Sequence, residues 1–289
     1  MMAIFRYTLR RFRGQILGWG IALALLGVLL VSMYDSIAAE QEQFQELLKI
    51  YPPELTAFLG DISSFATPEG FVSIEFFSFM PLVLGIFGVL MGSGLLVSDE
   101  ESGTLDLIMA HPVSRTALFM GRLQAFIVAT VAILVIAWLG LIVSMTWSSM
   151  DIGWGRMWLP LLSLLAELLL FGTLSLFLSM LLPSRRLAAT TAGLLLVASF
   201  FITGLAKINE DLETIAKLSP LNYYQTQDAF EGLNGVWLAG LLGSAVVFAA
   251  LAWWRFQRRD IRVGGEGGWQ WPSLSLPFRR KTEAGRQQS

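Results

Sequence analysis

Few side chains in this 289-residue chain are of the types that do chemistry. There is no cysteine and one histidine, His111. That removes structural disulfides, thiolate zinc sites, iron–sulfur clusters and cysteine nucleophiles, and the HExxH zinc pattern, which needs two histidines. The dipeptide Gly-Lys does not occur, so there is no Walker A loop to cradle a nucleotide, and no GxSxG elbow presents a serine. Two carboxylate features remain. Asp99-Glu100-Glu101 opens a polar stretch that runs to Arg122, and Glu167 stands alone among leucines. Neither comes with the base, partner acid or ligand set that catalysis needs, so the chain is not expected to be an enzyme.

The elements that must position these residues are apolar. The chain is 55% hydrophobic and only 15% charged, with mean hydropathy +0.62. Ordinary soluble domains carry roughly a quarter charged residues, so an all-α polytopic membrane protein is predicted. About 20 apolar residues, at a rise of 1.5 Å each, cross roughly 30 Å of hydrocarbon. Six segments qualify, at about Ile16–Tyr34, Phe77–Val97, Leu123–Trp147, Met157–Leu182, Leu187–Ala206 and Val236–Trp254. They define a six-span domain over residues 1–254, followed by a basic tail, 255–289, without periodicity and expected to be partly disordered. Between the fourth and fifth spans lies only Pro183-Ser184-Arg185-Arg186, a proline stop and a serine suited to cap the next helix. With the N-terminus inside, sixteen of the twenty Lys/Arg fall in inner segments, which places both termini in the cytoplasm. Arg6 to Arg13 and Ser36-Ile37-Ala38 imitate a signal peptide. The apolar stretch is too long for one, and the first helix is expected to be retained.

Between the spans, residues 3–13 set Ile4, Phe5, Leu9 and Phe12 against four arginines. That pattern predicts an amphipathic elbow helix in the headgroup boundary, a topology anchor or a contact for anionic lipid or a cytoplasmic partner. The first outer loop, 35–76, holds eight carboxylates and one lysine. Phe44, Leu47, Leu48 and Tyr51 recur there at helical spacing, up to Pro52-Pro53. Residues 207–235 contain Leu218-Ser-Pro-Leu-Asn-Tyr-Tyr224, suited to headgroup level. The net charge of −2 says little about partners, and no nucleic-acid partner is expected.

The inner stretch 98–122 carries the densest signal. Ser98 with Glu101 three residues on reads as a capping box, with Asp99, Glu100 and Glu101 at a favourable helix N-terminus. Leu105, Ile108 and Met109 form an i, i+3, i+4 stripe. Pro112 ends that helix near His111, and Ser114 caps the next one, which carries Arg115. The expectation is a short amphipathic helix that offers acids and an apolar stripe to a docking partner.

The run Glu101-x-Gly103-Thr104-Leu105-x-Leu107, then Pro112-x-Ser114-Arg115, then Leu118-x-x-Gly121-Arg122 resembles the permease subunits of ABC-2-type exporters. The six-span layout, the basic elbow and the Leu-Ser-Pro-Leu-Asn-Tyr-Tyr stretch are similar to that family as well. The resemblance implies a coupling helix that docks on a separate cytoplasmic ATP-binding subunit, through Glu100, Glu101, Gly103, Thr104, Leu105, Ile108 and Arg115. It also implies a second permease chain, identical or different, and no cofactor on this chain, with ATP and Mg bound by the partner. A bacterial or archaeal plasma membrane follows from the same likeness.

Glu167 is the one charged residue well inside an expected span. A central charge costs roughly 2.5–3.5 kcal/mol on the insertion scale, which seven leucines between Leu161 and Leu170 offset by about 2–4 kcal/mol. Two readings stand: a polar site on a transport route or cation path, and a protonated packing residue hydrogen-bonded to Ser144 or Thr173. Gly85, Gly88 and Gly92 read as a close helix–helix seam. The alternatives to an exporter permease are a secondary transporter coupled to an ion gradient through Glu167, and a membrane scaffold that docks a cytoplasmic protein. No internal repeat supports the former.

Overall fold

The computed structural model describes residues 1–39, 65, 67–110 and 113–259, and no strand occurs among them. In chain order the helices are α1 (Met2–Ala39), α2 (Pro68–Val72), α3 (Met80–Glu101), α4 (Leu105–Met109), α5 (Arg115–Met145), α6 (Trp154–Leu181), α7 (Arg185–Ala206), α8 (Glu213–Ala216) and α9 (Gly235–Arg258). Six are long and apolar enough to cross a membrane: α1, the Pro68–Glu101 run that ends in α3, α5, α6, α7 and α9. Each overlaps one of the six apolar segments, and the fold is an all-α polytopic membrane protein.

The arginine-rich elbow is not a separate helix. It runs without a break into the first span, as one helix of 38 residues. No proline interrupts it, and Gly14 alone costs roughly 0.5–1 kcal/mol, too little to end a helix whose later turns are packed. Gly20, Leu23, Gly27, Leu30, Val31 and Tyr34 form its buried stripe. That stripe lies on α5, where a Cβ on Gly27 would come within 2.9 Å of Leu141, and one on Gly140 within 2.5 Å of Ala24. The helices meet this closely because these positions have no side chain.

α6 is the central helix and packs against α3, α5, α7 and α9. Its seam with α3 is backbone against backbone. A Cβ on Gly88 would lie 3.2 Å from the Leu168 carbonyl oxygen, and one on Gly92 would overlap that of Gly172. Ser175 Oγ donates to Val89 O across the same seam at 2.8 Å. The glycine repeat is therefore a packing device.

On the N-terminal side of α3 the helical region begins at Pro68, well before Phe77. Thr67 Oγ1 caps α2 by accepting from the Gly70 N–H at 3.1 Å, with Pro68 in the first turn. A π-helical turn, Ser73–Phe77, follows. Buried Phe71 and Phe77 pack against Tyr34 and Phe230, with ring centroids 5.4 and 6.0 Å apart. The expected helix at Phe44–Tyr51, the pair His111-Pro112 and the tail beyond Arg259 lie outside the described residues.

Candidate functional site

α3 does not end at Val97, and no helix starts at Ser98. The helix continues to Glu101 and closes in a left-handed turn at Gly103, φ 68°. The Gly103 N–H donates to Glu100 O at 3.1 Å and the Thr104 N–H to Asp99 O at 2.9 Å, the paired bonds of a Schellman cap. The capping-box expectation is thus overturned. Asp99, Glu100 and Glu101 sit at a helix C-terminus, where the macrodipole disfavours carboxylates. The glycine two residues beyond them was the signal that marks an end.

Each carboxylate is compensated from another helix. Asp99, buried, pairs with Arg122 near the start of α5, and its other oxygen accepts from Arg11 Nη1 of α1 at 2.8 Å. Arg122, itself 3% exposed, also donates to Leu95 O at 2.8 Å. Glu100, 7% exposed, receives Arg259 Nη2 at 3.0 Å on both oxygens. Glu101 Oε1 accepts from the Arg185 backbone N–H at the start of α7, at 2.9 Å. Three consecutive acids therefore tie α3 to α1, α5, α7 and the residue that follows α9, all at the end of the bundle that carries the N-terminus. Sequence reading missed Arg11, Arg122 and Arg259 as partners of Asp99 and Glu100, because the pairs are separated by 23 to 159 positions.

α4 follows directly. Leu105 is 2% exposed, and Ile108 and Met109 pack against the same core. The apolar stripe faces the bundle, not the surroundings. Glu100 and Leu105, expected at a docking face, are buried within this chain by the long-range ion pair and the inward turn after Gly103. Glu101 and Thr104 remain exposed. Ser114 caps α5 as read, accepting from the Ala117 N–H at 3.2 Å, and Ser184 caps α7 at 3.3 Å from the Leu187 N–H. Arg115 is turned inward as well. Its Nη1 donates to the carbonyls of Phe256, Gln257 and Arg259, the last at 2.7 Å, and so caps the C-terminal end of α9.

Glu167 is fully buried, and among the described residues neither of its oxygens has a hydrogen-bond partner. The expected bonds to Ser144 and Thr173 are absent. Those hydroxyls bond back to their own helices, to Leu141 O and to Leu169 O, both at 2.8 Å. At the other end of the bundle a cavity of about 300 Å³ is lined by Ser78, Thr203, Lys207, Asn222 and Tyr224 among others. Tyr224 donates to Phe77 O at 3.0 Å and ties that end to the π-helical turn. No group of acidic and histidine side chains fit to hold a metal occurs among the described residues.

No curated protein matches the chain. A family model, that of the ABC-2 family transporter proteins, matches residues 13–261. The matched region takes in α1 from Arg13 onward and the other five apolar helices, the acidic end of α3 with Arg122 and Arg259, and the α4 turn they brace, while Arg11 lies just before it; by that match the chain belongs to the ABC-2 transporter family, as a membrane permease.

Proposed function

We propose that the chain is the permease subunit of an ATP-driven exporter, with ATP and Mg bound by a separate cytoplasmic subunit that docks on the α4 turn. A second permease chain, a copy of this one or a relative, would complete the translocation path. The observation that carries the reading is the bracing of α4. Glu100 and Glu101 precede it and Arg115 follows it, and between them they hold Arg259, the start of α7 and the end of α9. Asp99 adds α1 and α5. A push on this one-turn helix therefore reaches α1, α3, α5, α7 and α9, which is what coupling to a nucleotide-driven partner requires. With Asp99, Glu100 and the apolar stripe turned inward, the docking face reduces to exposed residues such as Glu101 and Thr104.

The test is recovery of an ATPase with the tagged chain in mild detergent, alongside a variant carrying Glu101→Arg and Thr104→Arg. Capture by the native chain and loss by an equally stable variant is the expected result. Failure of the native chain to bring down any ATPase, under conditions that preserve other transporter complexes, would sink the reading. Transport that stops with an uncoupler but persists without ATP would instead favour ion-gradient coupling through Glu167.

A further inference from the structure

Three arginines from three helices converge on one cavity. Arg11 of α1, Arg122 of α5 and Arg185 of α7 line a space of about 370 Å³ whose remaining wall is α3, at Leu90, Gly94, Ser98 and Asp99. Asp99 is the only carboxylate in that lining, and it is held by Arg122 and Arg11. Glu101, at the margin, is bound to a backbone N–H of α7. The cavity thus keeps an excess of positive charge. Arg11, with its side chain 51% exposed, spends one donor on Asp99, and Arg185 reaches across α3 to Leu90 O at 3.3 Å. Gly94 makes that reach possible, since a Cβ there would lie 2.9 Å from the Arg185 guanidinium carbon.

An apolar track leaves the cavity. The Pro68–Glu101 run is otherwise mostly buried, yet Leu90, Ile86 and Val83 of α3 and Phe79 just before it are each 38–49% exposed. Their spacing of three and four residues puts them on one face, running from the arginines toward the far end of the helix. A ligand that matches both parts bears an anionic oxygen group at one end and a hydrocarbon chain at the other. We propose that this cavity binds the phosphodiester headgroup of an anionic phospholipid between Arg11 and Arg185, with an acyl chain laid along the Leu90–Phe79 face. The lipid comes from the leaflet at that end of the bundle, and its binding is independent of any ATPase partner.

The chain is reconstituted in phosphatidylglycerol–phosphatidylcholine membranes, released in mild detergent, and its bound lipid read by native mass spectrometry. Phosphatidylglycerol is retained in preference to phosphatidylcholine. Arg11→Gln with Arg185→Gln weakens that retention about thirtyfold, from roughly 1 kcal/mol per cation near a lipid surface. Arg11→Lys with Arg185→Lys, which keeps the charge, preserves most of it. Arg10→Gln with Arg13→Gln, two cations lining a separate groove on α1, leaves it unchanged. Equal loss in both Gln pairs would reduce the effect to surface charge and overturn the site, as would undiminished retention in the first pair. Displacement of the lipid by millimolar inorganic phosphate would overturn the lipid assignment in favour of a free anion.

Discussion

Arg259 closes over Glu100, with one guanidinium nitrogen 3.0 Å from each carboxylate oxygen, and so fastens the residue after the last span to the last turn of α3. The two side chains are 11% and 8% exposed. A pair this far from water is costly to break from one side, because the remaining charge stays desolvated. Glu100→Gln should destabilise the chain by about 3 kcal/mol. Glu101→Gln, at an exposed carboxylate, should cost well under about 1 kcal/mol. Thermal unfolding of the two variants in the same detergent gives the comparison. Equal midpoints would mean the Arg259 contact contributes nothing.

The two arginines on Asp99 are unequal. Arg122 is 4% exposed along its side chain and Arg11 is 51% exposed. Asp99→Asn and Arg122→Gln should each lower stability by about 3–5 kcal/mol, whereas Arg11→Gln should lower it by less than about 1 kcal/mol. Raising the salt concentration should weaken only the Arg11 contribution.

Gly103 at φ 68° admits a side chain only with strain. Gly103→Ala is expected to cost about 1–2 kcal/mol, and Gly103→Asn less, because asparagine tolerates the left-handed region. If alanine leaves the melting temperature where it was, the turn is not held as described.

Two glycines grade the α3–α6 seam, and Gly193 of α7 lies outside it as a control. Gly92→Ala drives a methyl group into the Gly172 carbonyl, Gly88→Ala brings one to 3.2 Å from Leu168 O, and Gly193→Ala meets nothing. The loss of folded protein after detergent extraction should follow that order, with Gly193→Ala neutral and Gly92→Ala the most damaging.

Glu167 has two acceptors without a partner among the described residues, in a fully buried site. Each unmade hydrogen bond in such a site costs roughly 1–3 kcal/mol. Glu167→Leu should therefore raise the unfolding temperature. A variant that unfolds earlier would show that the carboxyl group makes stabilising contacts after all.

The spans were legible because membrane thickness imposes a length that composition reveals, and Ser114 and Ser184 were legible because a cap is a local bargain between a hydroxyl and an N–H three residues on. Ser98 offered the same local pattern and misled, since acids after a serine look alike whether a helix begins or ends there. What decides is Arg122, Arg11 and Arg259, remote in sequence and invisible to any window. The stripe Leu105–Ile108–Met109 was found correctly but not its direction, because a bundle and a docking partner are equally apolar. For Glu167, the hydroxyls expected to serve it had nearer carbonyls on their own helices.

The unbroken first helix has a mechanical meaning. Its 38 residues make a rod of about 57 Å, held against α5 from Ile4, beside Gly121, through Gly20 and Gly27. Without a hinge, α1 and α5 can shift only together, from Arg11 to the far tip. There Asp35 Oδ1 accepts from Ser148 Oγ at 2.9 Å and from the Ser149 N–H at 2.8 Å, in the turn between α5 and α6. Arg11 and Asp35 thus tie the two ends of one continuous strut, the first to the last turn of α3 and the second to the turn between α5 and α6.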